Sequence, residues 1–218
     1  MQSYCTELKK ARAMIRKVCI LDYGSGNVAS VRNSFQRLDI ETVVSNEPTD
    51  ILHSSHLVLP GVGAFKASMD KINAKLPLKE IYSQISLGKP FLGICVGTQA
   101  LAETGFEFGS YPGLGLFPGS EVIELPVDVP RPHVGWNSIE VLVNHPILSG
   151  IENGADFYFV HSYFISKIEE SNFIAQCDYG IKFPAIVAKD NLIGVQFHPE
   201  KSQNNGDRVL KNFVELIK

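Results

Sequence analysis

The stretch Phe91-Leu92-Gly93-Ile94-Cys95-Val96-Gly97-Thr98-Gln99 constrains the fold of this chain more than any other. Its apolar first half reads as a buried strand, and the Gly-x-Cys-x-Gly set reads as a sharp turn into a helix. Glycines on either side of such a turn relieve crowding at a strained central residue. The turn would lift the Cys95 sulfur out of a sheet and aim it along the helix N-terminus. There the dipole and free N–H groups favour a thiolate. The competing reading is a small apolar cysteine in a core strand, and the rest of the chain decides between the two.

Strands and helices alternate through the first half. Val18 to Leu21 reads as a short buried strand ending at Asp22-Tyr23-Gly24-Ser25-Gly26-Asn27, before a helix with Val28, Val31, Phe35 and Leu38 on one face. Strands follow at 42–44 and 57–59, the second ended by Pro60-Gly61-Val62-Gly63, and helices at 64–73 and 78–87. This order predicts an α/β fold with a mostly parallel central sheet flanked by helices. From Gly113 the texture changes to short strand-like runs at 122–125, 139–143, 157–160, 173–177, 185–188 and 193–197. Turn residues separate them, which predicts added antiparallel strands. Residues 206–218 close the chain as an amphipathic helix with Val209, Leu210, Phe213 and Ile217 facing in. Residues 1–16 are polar and basic and read as an N-terminal extension, with Met14 an alternative start, and 17–218 read as one domain.

Composition narrows the function. A net charge of −3 argues against nucleic acid as the main partner. No apolar run reaches the length of a membrane span, and the N-terminus lacks a signal-peptide core. Cys5, Cys19, Cys95 and Cys177 are scattered without C-x-x-C spacing, which speaks against zinc and against a disulfide framework. Free thiols suit a reducing compartment. The expectation is a soluble cytoplasmic protein that uses neither a metal nor a cofactor.

Gly194-Val195-Gln196-Phe197-His198-Pro199-Glu200 is the second strong signal. Pro199 stops a strand, leaving His198 at its edge and Glu200 just beyond. A thiol nucleophile needs a base to take its proton and deliver it to a leaving group, and the base needs a carboxylate to fix its tautomer. His198 and Glu200 have the types for those tasks. Ligands of open α/β sheets bind outside the carboxyl ends of the strands, where these residues and Cys95 should meet. Pro60-Gly61-Val62-Gly63 also follows a strand and reads either as an oxyanion hole or as a plain tight turn. Gly24-Ser25-Gly26-Asn27-Val28-Ala29 fits G-x-G-x-x-A, with Glu47 as the acidic residue about 20 positions on. That dinucleotide reading leaves Cys95, His198 and Glu200 without a purpose. His161 is the rival base; His133 stands beside the only Trp, and His53, His56 and His145 read as structural or solvated.

These residues resemble the class I glutamine amidotransferases, and more narrowly the glutaminase subunits of imidazole glycerol phosphate synthase. The narrow resemblance rests on the blocks at 22–27, 59–65 and 92–99, on His133-Val134-Gly135-Trp136-Asn137, on 157–163 and on 196–202. It implies that Cys95 attacks the glutamine side-chain amide, that His198 protonates the departing ammonia, and that Glu200 orients His198. It implies further that Gly61, Val62 and Gly63 form an oxyanion strand and that Gly93 and Gln99 lie at the glutamine. Trp136, Tyr158 and Lys201 match positions facing a (β/α)₈-barrel cyclase, which would receive the ammonia in a heterodimer. Thr98 and Val134 stand where the family more often has Met. Those departures admit a paralogue feeding a synthase that amidates nucleotide-linked sugars. A stand-alone γ-glutamyl hydrolase, needing no partner, is the more distant alternative.

Overall fold

The computed structural model describes residues 16–24 and 26–216. Most of the N-terminal extension, with Cys5 and Met14, lies outside the described residues, as do Ser25 and Ile217. The first half runs β1 (Lys17–Leu21), α1 (Val28–Arg37), β2 (Glu41–Ser45), α2 (Pro48–His53), β3 (His56–Gly61), α3 (Phe65–Lys75), α4 (Leu78–Ser86), β4 (Phe91–Cys95) and α5 (Val96–Gln99). Then come β5 (Ala102–Gly105), β6 (Tyr111–Pro112), β7 (Phe117–Glu124), β8 (His133–Val141), β9 (Asp156–His161) and β10 (Tyr163–Ser166). The chain closes with β11 (Phe173–Asp178), β12 (Lys182–Lys189), β13 (Leu192–Val195) and α6 (Gln203–Glu215).

A nine-stranded sheet has the order β2-β1-β3-β4-β13-β12-β11-β8-β9. Every pair from β2 to β13 is parallel, and every pair from β13 to β9 is antiparallel. The change of texture near Gly113 is therefore real, and β13 returns late in the chain to complete the parallel half. A smaller sheet, β10-β7-β5-β6, packs beside it. Strands β3 and β4 are buried along their whole length. Both faces are covered, which is why they read as unbroken apolar runs. Val31 and Phe35 of α1 share one core with Val209, Leu210 and Phe213 of α6, on one side of the sheet. Phe65, Met69 and Ile72 of α3 and Ile81 and Ile85 of α4 build the second core on the other.

Three local readings change. The helix after Cys95 is a single turn, because the carbonyls that would extend it are taken elsewhere. Ala100 O accepts from Leu114 N (2.8 Å) and Leu101 O from Leu116 N (2.9 Å), which draws the chain into the second sheet. Helix α2 escapes a periodicity reading because six residues hold too few apolar positions, although Pro48 marks its first turn. The last parallel strand stops at Val195 rather than Phe197. Gln196 N still bonds Ala185 O, but His198 N turns to Tyr158 O on β9 (2.9 Å), so His198 is delivered between two strand ends. No helix among the described residues is long and apolar enough to cross a membrane.

Candidate active site

Cys95 ends β4 opposite Gly61 at the end of β3. Its backbone adopts φ 55°, ψ −112°, a conformation that costs a non-glycine residue about 1–3 kcal/mol. Packing around it holds that conformation. A Cβ on Gly97 would run into the Leu59 carbonyl, one on Gly61 into Gly97 N, and one on Gly93 would sit 2.7 Å from Gly97 O. Three backbones thus meet at the turn with no room for a methyl group. The sulfur lies 3.9 Å from Val160 O and 3.8 Å from Gln196 Nε2. Cys19 and Cys177 are also free thiols, but burial pushes both up to about 12 and keeps them inert at neutral pH.

His198 and Glu200 stand beside this turn, with Nδ1 2.7 Å from Glu200 Oε1 and both side chains 1% exposed. His198 Nε2 is buried with no hydrogen-bond partner among the described residues, as is Glu200 Oε2. Burial alone would lower the His198 pKa, yet the interactions with Cys95 and Glu200 outweigh it and push the pKa up to about 10. The imidazolium is therefore the favoured form of His198.

A cavity of about 340 Å³ opens over these groups, lined by Cys95, Gln99, Glu107, His161 and His198, with Val62, Gly63 and Lys201 also on its wall. Gly61 ends β3, and Gly63 follows at φ 95°, a conformation that favours glycine. Gln99 Nε2 donates to Tyr163 O at 2.7 Å, tying the single turn of α5 to the opposite wall. Gly93 is not on the wall. Its missing side chain lets β4 pack against α5, where a Cβ would meet Gly97 O. Thr98 also turns away, its hydroxyl lying 2.8 Å from Gly93 O and 2.7 Å from Val195 O inside the sheet. Its departure from the family pattern does not reach the cavity directly.

His161 lines the cavity too, but both ring nitrogens are engaged. Nδ1 faces Tyr163 O (3.1 Å) and must donate, so Nε2 accepts from His133 Nδ1 (3.2 Å). His133 in turn stacks on Tyr179 at 3.9 Å between ring centroids. Both rings are neutral in this chain, and neither nitrogen of His161 is left for Cys95. The rival base is thus occupied, while His198 keeps one nitrogen open.

Neutral buried histidines carry a consequence for stability. Burial lowers His56 and His133 to about 4 and His161 to about 3, against about 6.5 unfolded. The unfolded chain binds more protons over pH 4 to 6.5, so stability falls as pH drops through that window. Each of the three adds up to about 1.4 kcal/mol per pH unit. His198 works in the opposite sense, its contribution being complete below about 6.5 and lost as pH rises through about 10. Urea midpoints measured from pH 7 to 4.5 should fall steeply; a flat profile would contradict the three buried neutral histidines.

Glu107 carries no legible signal in the sequence. It sits in a loop after β5, and its Oε2 accepts from Phe65 N, one of the free N–H groups at the start of α3. It is the carboxylate on the cavity wall. Trp136, Tyr158 and Lys201 form one cluster near the site: Trp136 is 48% exposed and meets Tyr158 edge-on, and Lys201 Nζ lies 5.6 Å above the Tyr158 ring. Among the described residues no group of His, Cys, Asp and Glu is placed to hold a metal ion.

The model of the family described as glutamine amidotransferase class-I matches residues 19–216. The chain belongs to that family. This amidotransferase is 42% identical over 207 residues to the imidazole glycerol phosphate synthase subunit HisH of Geobacter sulfurreducens, covering 92% of this chain and 99% of that one. It is 43% identical to the subunit of the same name from Caldanaerobacter subterraneus, over 91% of this chain and 98% of the relative. Among solved structures, PurLQS from Thermotoga maritima superposes with a TM-score of 0.72 at 18% identity, covering 94% of this chain and all of that one. At that identity the likeness carries the fold alone.

Proposed function

We propose that this amidotransferase is the glutaminase subunit of an imidazole glycerol phosphate synthase, supplying ammonia for histidine biosynthesis in the cytoplasm. The observation that carries the reading is identity above 40%, over nearly the full length of both chains, to subunits of that name. The geometry supports the chemistry. Cys95 Sγ, as thiolate, attacks the side-chain carbonyl carbon of glutamine, and the oxyanion forms against backbone N–H groups of the Gly61-Val62-Gly63 strand. His198 gives its proton to the amide nitrogen, the C–N bond breaks, and ammonia leaves a Cys95 thioester. Water then attacks the thioester with His198 as base, releasing glutamate and restoring the thiolate. Glu200 holds the imidazole by Nδ1 throughout. Glu107 supplies negative charge where the glutamine α-ammonium can lie, and Gln99 steadies the facing wall.

Ammonia is mostly protonated in neutral water, so transfer must occur inside a closed complex. The cluster of Trp136, Tyr158 and Lys201 is the surface on which a (β/α)₈-barrel cyclase subunit would dock to form the heterodimer. A half-exposed Trp with a neighbouring Tyr fits the aromatic enrichment of interface centres. Lys201 adjoins Glu200, so docking there reaches the triad directly.

Glutamate release should be measured for the chain alone, then with the cyclase subunit and its nucleotide substrate. If docking completes the oxyanion strand, the rate should rise on the order of 10²–10³-fold, the worth of one oxyanion donor. No response to the cyclase would favour a different acceptor synthase, and full activity without a partner would favour a stand-alone hydrolase.

A further inference from the structure

We infer that Asn27 is a positioning residue of the triad, its side-chain amide holding the Glu200 carboxylate that orients His198. The inference rests on the triad roles proposed above. Asn27 occupies the N-cap of α1, where an asparagine side chain ordinarily accepts from the second or third helical N–H. Here it makes no capping bond. Only its backbone carbonyl serves the helix, accepting from Val31 N at 3.0 Å. The side chain instead points across the molecule, placing Nδ2 3.4 Å from Glu200 Oε1.

The carboxylate needs that donor. A buried charge must be paired and hydrogen-bonded to stay ionised. The Glu200 side chain is 1% exposed, and its Oε2 has no partner among the described residues. All of its stabilisation therefore falls on Oε1, shared between His198 Nδ1 at 2.7 Å and Asn27 Nδ2. Asn27 contacts the same oxygen that holds the imidazole, so it selects the Glu200 rotamer from which His198 is aimed. No other side-chain donor to Glu200 exists among the described residues. The charged or titratable neighbours of the pair are Cys95, the neutral His161 and Lys201, whose ammonium lies over the Tyr158 ring.

The same turn also reaches the oxyanion strand. Tyr23, fully buried, donates its hydroxyl to Pro60 O at 2.8 Å, and Gly26 packs where a Cβ would lie 3.2 Å from that carbonyl. Residues flanking Asn27 thereby brace the base of Gly61-Val62-Gly63 while Asn27 braces Glu200. The segment after β1 holds both halves of the site in register.

The test uses the full chain with its cyclase partner, comparing wild type with Asn27→Ser and Asn27→Asp. Serine keeps N-capping ability but cannot reach Glu200; aspartate keeps the shape but has no amide donor and adds a like charge. Both should lower kcat on the order of 10- to 100-fold, the scale of a small misplacement of a catalytic group, with KM for glutamine little changed. Losing that donor destabilises the charged carboxylate–imidazolium pair that Glu200 makes with His198. The acid limb of the kcat/KM profile should therefore move upward, further for aspartate than for serine. A capping role alone would lower the melting temperature and leave that limb in place. Wild-type kcat and an unmoved acid limb in both variants would overturn the proposal. An active Cys95→Ala control would overturn the triad reading itself, and the positioning role with it.

Discussion

Cys95→Ala abolishes glutamine hydrolysis, with a loss of about 10⁴-fold or more, while the protein folds and melts close to wild type. The size follows from the role: without the sulfur no thioester forms, and groups that act as a unit lose nearly everything when the nucleophile is removed. The small effect on stability follows from position. Alanine removes one atom at the cavity wall and keeps a Cβ, so it inherits the same backbone conformation at φ 55°. His198→Ala should fall to a similar rate for a different reason. It removes the proposed proton donor to the leaving nitrogen and leaves the Glu200 side chain buried without its main partner, so it should also cost stability. Glutamate release with the cyclase bound, read beside a melting curve, separates these effects. A Cys95→Ala enzyme that still turns over would end the thioester mechanism.

Gly97→Ala should be the most destabilising single methyl group at the site. The added Cβ would collide with the Leu59 carbonyl, which is backbone of a fully buried strand and cannot swing aside. Overpacking a well-packed core costs about 1–3 kcal/mol, and a rigid carbonyl puts this substitution at or beyond the upper end. The remaining escape is to push α5 away from β3, which moves Cys95 off its register with Gly61. Activity should therefore fall together with the urea midpoint, unlike in Cys95→Ala. A Gly97→Ala protein with wild-type midpoint and rate would show that β3 and α5 do not meet as closely as this packing requires.

Both substitutions fall on one motif, yet only part of what that motif does is legible in the chain. The cysteine turn can be read because its signals are local: an apolar run of strand length, a glycine two residues before and another two after. His198-Pro199-Glu200 is legible for the same reason, a proline ending a run beside an acid–base pair. Gly93 is different, since the close approach to Gly97 that requires a glycine there is set by the packing of β4 against α5. The length of the turn helix also escapes local signals, because Ala100 and Leu101 bond to a segment more than ten residues ahead.

Residue types and short spacings are enough to specify an α/β sheet, a cysteine at one strand end and a histidine with its carboxylate at another. Those features depend on backbone conformational preference and apolar periodicity within a few residues. The choice between His198 and His161 rests on neighbours in space. His133, 28 positions away, occupies one nitrogen of His161, whereas Nε2 of His198 stays open. Glu107 on the cavity wall and Asn27 on Glu200, the latter pair 173 positions apart, come together only through the packing of separate elements. A hydrogen bond across that separation leaves no periodicity in the chain. It exists because the sheet brings the ends of β1, β3, β4 and β13 to one edge.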